Sequence, residues 1–436
     1  MQLMPHQIEA LDLTESHKRC AYFLDMGLGK TYVGGEKLIR LGNPFNLVVC
    51  QKSKIDDWME HFRTHYTEFG KVAVYDLTNK KDFDLFIEKV NYKSRPYWGF
   101  DCIGVINYEL AWRRKELLNL KDFTLMLDES SLIQNEKSKQ AKFILNLNPS
   151  ACVLLSGTPV SGKYENLWSQ AQLLGWKLKR DVFDNTYINW TLTEDDGSGM
   201  RHRVVDKVNP YKNIERLRNK LRVYGSVFMK TEDVLTLPEQ RFITVRVKAP
   251  KDYWNFLETG YHVFPDGSEL IGATVLTKRL YAKQLVNQYN PDKLEALKDL
   301  IQSTNDRLIV FYCFNAELDA LKTICDELNR PYSEVNGEIK DLTNYERCED
   351  AVTLVQYQAG AMGLNLQKCN KTIYFSLPDR SDLYEQSKKR THRIGQKTSC
   401  VYYVLLANGT IDERIYETLQ MRKDYTDELF VEDINR

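Results

Sequence analysis

Short apolar runs recur through the first part of the chain, each closed by a polar turn. Ala21-Tyr22-Phe23-Leu24, Leu47-Val48-Val49-Cys50, Cys102-Ile103-Gly104-Val105-Ile106, Phe123-Thr124-Leu125-Met126-Leu127 and Ala151 to Leu155 show no polar/apolar alternation. Runs of this kind are expected of parallel strands covered on both faces. Between them, apolar residues fall at helical spacing: Val33, Leu38 and Leu41 before Gly42-Asn43-Pro44; Ile55, Trp58, Met59 and Phe62; and Leu167, Ala171 and Leu174 before Gly175. Ser53 with Asp56 reads as a capping box opening the second of these helices. Strands alternating with helices predict a doubly wound α/β lobe over residues 1–175.

From Trp176 to about Asn290 the parallel-strand rhythm stops, which marks 176–290 as a mixed insertion, with turns at Thr193 to Gly199 and at Phe264-Pro265-Asp266-Gly267. It resumes with Leu308-Ile309-Val310-Phe311-Tyr312, Val352-Thr353-Leu354-Val355, Thr372-Ile373-Tyr374-Phe375 and Val401 to Leu406. These predict a second α/β lobe over 291–436.

The turns after the strands carry the chemistry. Asp25-Met26-Gly27-Leu28-Gly29-Lys30-Thr31 joins the first strand to a helix. Gly27 and Gly29 let backbone N–H groups point at a phosphate, Lys30 reaches its outer oxygens, and Thr31 offers a hydroxyl to Mg²⁺. The strict pattern G-x-x-x-x-G-K-[ST] would place glycine at position 24, where this chain has Leu24. Asp128-Glu129 closes the fourth strand, at the edge where open α/β sheets bind ligands. A carboxylate for Mg²⁺, Asp128, and one to orient and deprotonate water, Glu129, are what ATP hydrolysis requires. Ser156-Gly157-Thr158-Pro159 brings hydroxyls to the same edge. Lys52-Ser53 at a helix start suits a nucleic-acid phosphate, and equally a solvated loop. In the second lobe Gln386, Arg390 and Arg393 stand at i, i+4 and i+7, one face of a predicted helix, where two guanidiniums suit transition-state charge on a γ-phosphoryl group. A basic surface helix would show the same spacing. A run of Lys and Arg between Arg201 and Arg222 is another place for phosphate contacts, or a solvated helix face.

Composition narrows the class without choosing a partner. Lys+Arg and Asp+Glu both number 60, so no global positive field draws in nucleic acid. Nine scattered cysteines without C-x-x-C spacing fit reduced core residues rather than disulfides or zinc ligands. No basic n-region precedes an apolar run and no stretch reaches membrane-span length, so neither export nor a membrane partner is expected.

Taken in order, these segments resemble the motifs of the Swi/Snf-like branch of helicase superfamily two, in its compact bacterial and phage form. The resemblance rests on Pro5-His6-Gln7, the glycine-rich loop, Val48 to Ser53 with Trp58, Asn107-Tyr108-Glu109, Leu127-Asp128-Glu129 and Leu155 to Pro159. It continues in Ala359-Gly360-Ala361-Met362-Gly363-Leu364-Asn365-Leu366 and in His392-Arg393-Ile394-Gly395-Gln396, the run most specific to the branch. Phe228 to Val234 with Leu237-Pro238 is similar to the segment that joins the lobes in that branch, and the irregular middle resembles its helical protrusions, which implies a mixed, mainly helical insertion over 176–290.

The resemblance implies two RecA-like doubly wound lobes and an ATP- and Mg²⁺-dependent motor on double-stranded DNA. It further implies that Gln7 reads the adenine edge, Lys30 and Thr31 hold phosphate and metal, and Asp128 and Glu129 handle metal and water. Arg390 and Arg393 become arginine fingers, with Gln386 beside them and Gly363 near the nucleotide. Lys52, Ser53, Asn107, Tyr108, Ser156 and Thr158 would face the nucleic acid or couple it to the ATP site. Ser131 departs from the pattern, since many relatives carry histidine there, and the stretch between Gly337 and Val352 is short and acidic. The expected protein is cytoplasmic and acts as a monomer, with partner choice left to short insertions or a separate recruiting protein. Strand separation or branch migration on DNA or RNA is the alternative within the same motifs. An ATP-gated nucleic-acid clamp with little hydrolysis is the alternative of another class.

Overall fold

Apolar runs without alternation become the inner strands of two sheets, because a strand buried on both faces needs apolar residues at every position. In the computed structural model the described residues are 2–25, 27–66, 72–91, 101–157, 163–194, 201–206, 209–360 and 364–421. They form two units, Met1–Leu235 and Thr236–Arg436.

The first unit contains β1 (Arg19–Leu24), β2 (Phe45–Cys50), β3 (Val72–Asp76), β4 (Asp101–Asn107), β5 (Phe123–Asp128), β6 (Ala151–Ser156), β7 (Trp190–Glu194), β8 (Arg201–Val205) and β9 (Ser226–Met229). Seven of these form one sheet in the order β3-β4-β2-β5-β6-β1-β9, all parallel. Successive residues serve opposite faces. Ala21, Phe23, Leu125 and Leu127 enter one core, while Tyr22, Leu24, Met126 and Val153 enter the other. β7 and β8 make a separate antiparallel hairpin.

The second unit contains β10 (Gln240–Val247), β11 (Tyr261–Val263), β12 (Glu269–Ile271), β13 (Leu308–Tyr312), β14 (Tyr332–Val335), β15 (Lys340–Asp341), β16 (Val352–Gln356), β17 (Lys371–Tyr374) and β18 (Cys400–Ala407). Its main sheet runs β10-β18-β17-β13-β16-β14-β15, parallel except for the last pair. β11 and β12 form a hairpin around the turn at Phe264 to Gly267.

The middle of the chain departs from the sequence expectation. Parallel strands do occur between Trp176 and Asn290, and the stretch is divided between the units. β9 extends the first sheet beside β1, and β10 pairs along its whole length with β18. Both are outermost strands of their sheets. Arg-Phe-Ile-Thr-Val-Arg mixes polar with apolar positions because one edge and much of both faces stay exposed, so it lacks the continuous run of an inner strand.

One buried ion pair braces the second unit. Lys293, on the helix Pro291–Gln302, meets Asp412, on the helix Ile411–Gln420, with both side chains at 1% exposure or less. Asn287 Oδ1 accepts a further bond from Lys293 Nζ at 2.6 Å. Breaking such a pair strands a charge away from water and costs about 3–5 kcal/mol. Asp412→Asn is therefore expected to lower the melting temperature by roughly 10 °C, and a thermal scan matching wild type would contradict this.

Candidate functional site

Parallel strands bring every carboxyl end in a sheet to the same edge, so residues far apart in sequence converge there. In the first unit that edge carries the loop after β1, Lys52 and Ser53 after β2, Asn107 and Tyr108 at the end of β4, Asp128 and Glu129 at the end of β5, and Ser156 closing β6. β5, β6 and β1 are consecutive in the sheet, which sets the acidic pair and Ser156 beside the glycine-rich loop.

The loop turns through left-handed backbone at Gly27 (φ 90°) and Gly29 (φ 76°) and enters the helix Lys30–Arg40. Its crest is held from below. Leu28 O accepts bonds from His6 Nε2 at 3.0 Å and from Gln7 Nε2 at 3.1 Å, while Gln7 Oε1 accepts from Met4 N at 2.9 Å. The left-handed conformation at position 29 favours glycine, and a Cβ there would also displace the Gln7 amide from the loop. Gln7, expected to read the adenine edge, thus engages the loop backbone through its amide. Lys30 folds over the end of β1, its Nζ donating to Leu24 O at 2.9 Å and to Asp25 O at 3.3 Å. Asp25 ties the loop to the segment after β9, its Oδ2 accepting from Thr231 N at 3.1 Å.

Asp128 Oδ2 accepts a bond from Trp58 Nε1 at 2.9 Å, an anchor supplied by the helix Ile55–Tyr66. Glu129 sits in left-handed backbone (φ 58°, ψ 59°), unusual for a residue with a side chain. Its Oε1 accepts from Ser131 Oγ at 2.6 Å and from Ser156 Oγ at 2.8 Å. Tyr108, buried beneath, donates from its hydroxyl to Asp128 O at 3.0 Å. Burial raises the Glu129 pKa, opposed by the Ser131 hydroxyl, the Lys30 ammonium and the Ser156 hydroxyl, while Asp128 adds to the rise. Lys30 and Glu129 are therefore within electrostatic reach of each other.

Thr31, in the first turn of its helix, and Asp128 supply oxygen donors at this edge. Among the described residues no group of three or more His, Cys, Asp or Glu could hold a metal. A single carboxylate with a hydroxyl fits Mg²⁺, which completes its shell with water and substrate phosphate rather than a protein cage.

Other expected residues are placed less simply. Lys52 and Ser53 are exposed, and the helix Ile55–Tyr66 is entered through a 3₁₀ turn, Lys52–Lys54, which puts Ser53 inside that turn rather than at the expected cap. Asn107 Nδ2 donates to Glu109 Oε2 at 2.7 Å. Thr158 and Gly363 lie outside the described residues.

In the second unit, the one-face arrangement of Gln386, Arg390 and Arg393 is corrected. The helix Ser381–Lys388 contains Gln386 but stops before both arginines, where Arg390 N bonds back to Ser387 O at 3.1 Å. Arg390 is 2% exposed, and its carbonyl accepts from Leu366 N at 3.2 Å. Arg393 is half-buried, with Nη1 donating to Leu364 O at 3.4 Å, and burial lowers its pKa. The arginine loop is fixed by Gln396, whose Nε2 donates to Gln367 O at 3.1 Å and Cys369 O at 3.0 Å, and by His392, whose Nε2 donates to Pro238 O at 2.7 Å.

Sequence reasoning assigned no role to His6 under the loop, to Trp58 on Asp128, or to Ser131 on Glu129. The first two contacts cross 22 and 70 positions, so no local pattern could reveal them. Ser131 was conspicuous only as a departure.

The SNF2-related domain matches residues 6–263, and the helicase conserved C-terminal domain matches residues 292–395. A mouse protein, SWI/SNF-related matrix-associated actin-dependent regulator of chromatin subfamily A member 1, is 23% identical over 441 residues, 91% of this chain and 40% of its own length. An uncharacterized ATP-dependent helicase of Mycoplasma pneumoniae is 21% identical over 442 residues, 94% of this chain and 40% of its own. The chain thus spans about 40% of the length of these relatives. Among solved structures, the Sulfolobus solfataricus SWI2/SNF2 ATPase core in complex with dsDNA is similar at a TM-score of 0.43 and 18% identity, covering 97% of this chain and 91% of that one.

Proposed function

The chain belongs to the SNF2-related domain family, and from that premise we propose that it is a nucleic-acid-stimulated ATP hydrolase that moves along double-stranded DNA without separating the strands. The observation that carries the reading is the convergence, on one sheet edge, of a glycine-rich loop, its Lys30 and an acidic pair whose second member lies within reach of that lysine.

Each residue has a task in this scheme. Gln7 and His6 fix the crest of the loop from below, so that its backbone N–H groups are preorganised for phosphate. Lys30 supplies a mobile cation that exchanges the carbonyls of Leu24 and Asp25 for phosphate oxygens. Thr31 and Asp128 would hold Mg²⁺, with Trp58 fixing the orientation of Asp128. Bound there, the metal neutralises phosphate charge as a Lewis acid. Glu129 orients the attacking water and accepts its proton. Arg390 and Arg393 are the proposed cations for transition-state charge, with Gln386 and Gly363 toward the nucleotide. Lys52 and Ser53, both exposed, are proposed to face DNA, and Asn107, Tyr108 and Ser156, all buried, to relay its presence, with Thr158 in either role. Duplex DNA as partner is supported by the family match and by the charged, exposed turn after β2.

The test offers ATP with two substrates, a triplex-forming third strand on a duplex and an ordinary flanked duplex. The expected result is displacement of the third strand with the duplex left intact. Efficient unwinding of the duplex would overturn translocation without strand separation, and failure on both would favour a clamp.

A further inference from the structure

At the position where the resemblance leads one to expect histidine, the chain has Ser131, and its hydroxyl is not idle. Ser131 Oγ donates to Glu129 Oε1 at 2.6 Å, and Ser156 Oγ, from the neighbouring strand, donates to the same atom at 2.8 Å. The left-handed turn at Glu129 folds Ser131 back toward the carboxylate two residues before it. Such a conformation is strained in a residue with a side chain and persists where the surroundings enforce it. Here they do. Ser130 Oγ donates the other way, to Gln170 Oε1 at 2.8 Å, and the Tyr108 hydroxyl donates to Asp128 O at 3.0 Å and lies 3.4 Å from Glu129 O. The backbone on both sides of the carboxylate is pinned by buried partners.

We propose that Ser131 is a positioning residue for Glu129: together with Ser156 it holds one carboxylate oxygen, Oε1, and so reserves the other, Oε2, for the reacting water. Two donors on one oxygen fix the plane and rotation of a carboxylate more tightly than either alone, and a base displaced by a fraction of an ångström loses much of its effect. Among the described residues, both hydrogen bonds to this carboxylate end on Oε1. The two serines differ in kind. Ser131 moves with Glu129 because it belongs to the same turn, whereas Ser156 belongs to the strand end that leads into Gly157 and Thr158.

The inference rests on the reading of Glu129 as the water-activating base, and the experiment separates the two. Wild type, Ser131→Ala, Ser131→Thr and Lys30→Ala are assayed for DNA-stimulated phosphate release and for binding of a fluorescent ADP analogue. Thermal unfolding of the nucleotide-free protein is measured for Ser131→Ala, Glu129→Ala and the double variant. The expected result is a kcat about tenfold lower in Ser131→Ala with ADP affinity unchanged, as the loss of one hydrogen bond to a charged group would give. Ser131→Thr restores kcat to within about twofold, since threonine keeps the hydroxyl. In the unfolding cycle the shift caused by Ser131→Ala disappears once Glu129 is alanine. Wild-type turnover in Ser131→Ala, equal losses in the alanine and threonine variants, or additive unfolding shifts would each overturn the proposal. Wild type no faster than Lys30→Ala would instead overturn the reading of the site, and the unfolding cycle would still decide whether Ser131 holds Glu129.

Discussion

Replacing Lys30 with alanine is expected to reduce DNA-stimulated ATP hydrolysis by about 100-fold or more, the loss typical when one preorganised group facing transition-state charge is removed. The nearby structure supplies the reason for so large an effect. Lys30 stands at the start of its helix, immediately after Gly29, where the loop's N–H groups and the helix dipole already favour an anion but carry no full charge. Its ammonium is the only full positive charge that the loop itself contributes. Two of its contacts in the structure, the bonds to Leu24 O and Asp25 O, are partly buried, and their loss costs about 1–3 kcal/mol of stability. Activity should therefore vanish in a protein that still folds, with a melting temperature moderately below that of wild type. Nucleotide affinity should fall as well, because the ammonium meets phosphate in the ground state and the transition state alike. A variant that hydrolyses ATP at the wild-type rate would remove the loop from the mechanism.

Glu129→Gln is expected to lower kcat by about 10² to 10⁴ through loss of a general base, with little change in nucleotide binding. Glutamine keeps the shape of the side chain and an oxygen for the hydroxyls of Ser131 and Ser156, so the turn stays as it is. What it lacks is a site basic enough to take a proton from water. The contrast between the two variants is the informative part. Lys30→Ala should fail in binding and turnover together, while Glu129→Gln should bind ATP and fail to turn it over. Single-turnover hydrolysis alongside equilibrium binding of a fluorescent ATP analogue would show this difference. Equal binding losses in both would place Glu129 in the phosphate cradle rather than at the water.

How much of this could be read beforehand depended on where the determinants lie in sequence. The strands buried on both faces announce themselves as continuous apolar runs, and β1, β2, β4, β5, β6, β13, β16, β17 and β18 all lie where such runs stand. β3, β9, β10, β14 and the two-residue β15 were missed. β10 is an outermost strand whose half-exposed positions mix polar with apolar residues; β3 and β9, also outermost, carry apolar runs of only four and three residues, Val72 to Tyr75 and Val227 to Met229; and Tyr332-Ser333-Glu334-Val335 hides a strand by carrying a buried carboxylate. Missing β9 and β10 is also why the middle of the chain read as a separate insertion: a strand that joins a sheet formed by distant segments leaves no local trace of its partner.

The candidate site shows the same division. Lys30, Thr31, Asp128 and Glu129 were legible because each closes or follows an apolar run, which places it on the sheet edge without further information. Arg390 and Arg393 were legible as residues but not as geometry. Spacing alone predicts a helix through them, whereas the helix ends at Lys388, with Ser387 Oγ turned inward to Tyr374 OH at 2.9 Å and Gln396 binding the loop carbonyls beyond. Trp58 and His6 act through single hydrogen bonds to distant backbone or carboxylate atoms. Their importance is a property of the folded edge, and periodicity does not encode it.

The most direct test of the account is steady-state phosphate release from ATP with duplex DNA, single-stranded DNA and RNA offered in turn, in wild type and in Lys30→Ala. The account predicts a rate that rises well above the unstimulated level with duplex DNA, rises least with RNA, and collapses to background in the variant. Release that stays at background in wild type with all three nucleic acids would contradict it.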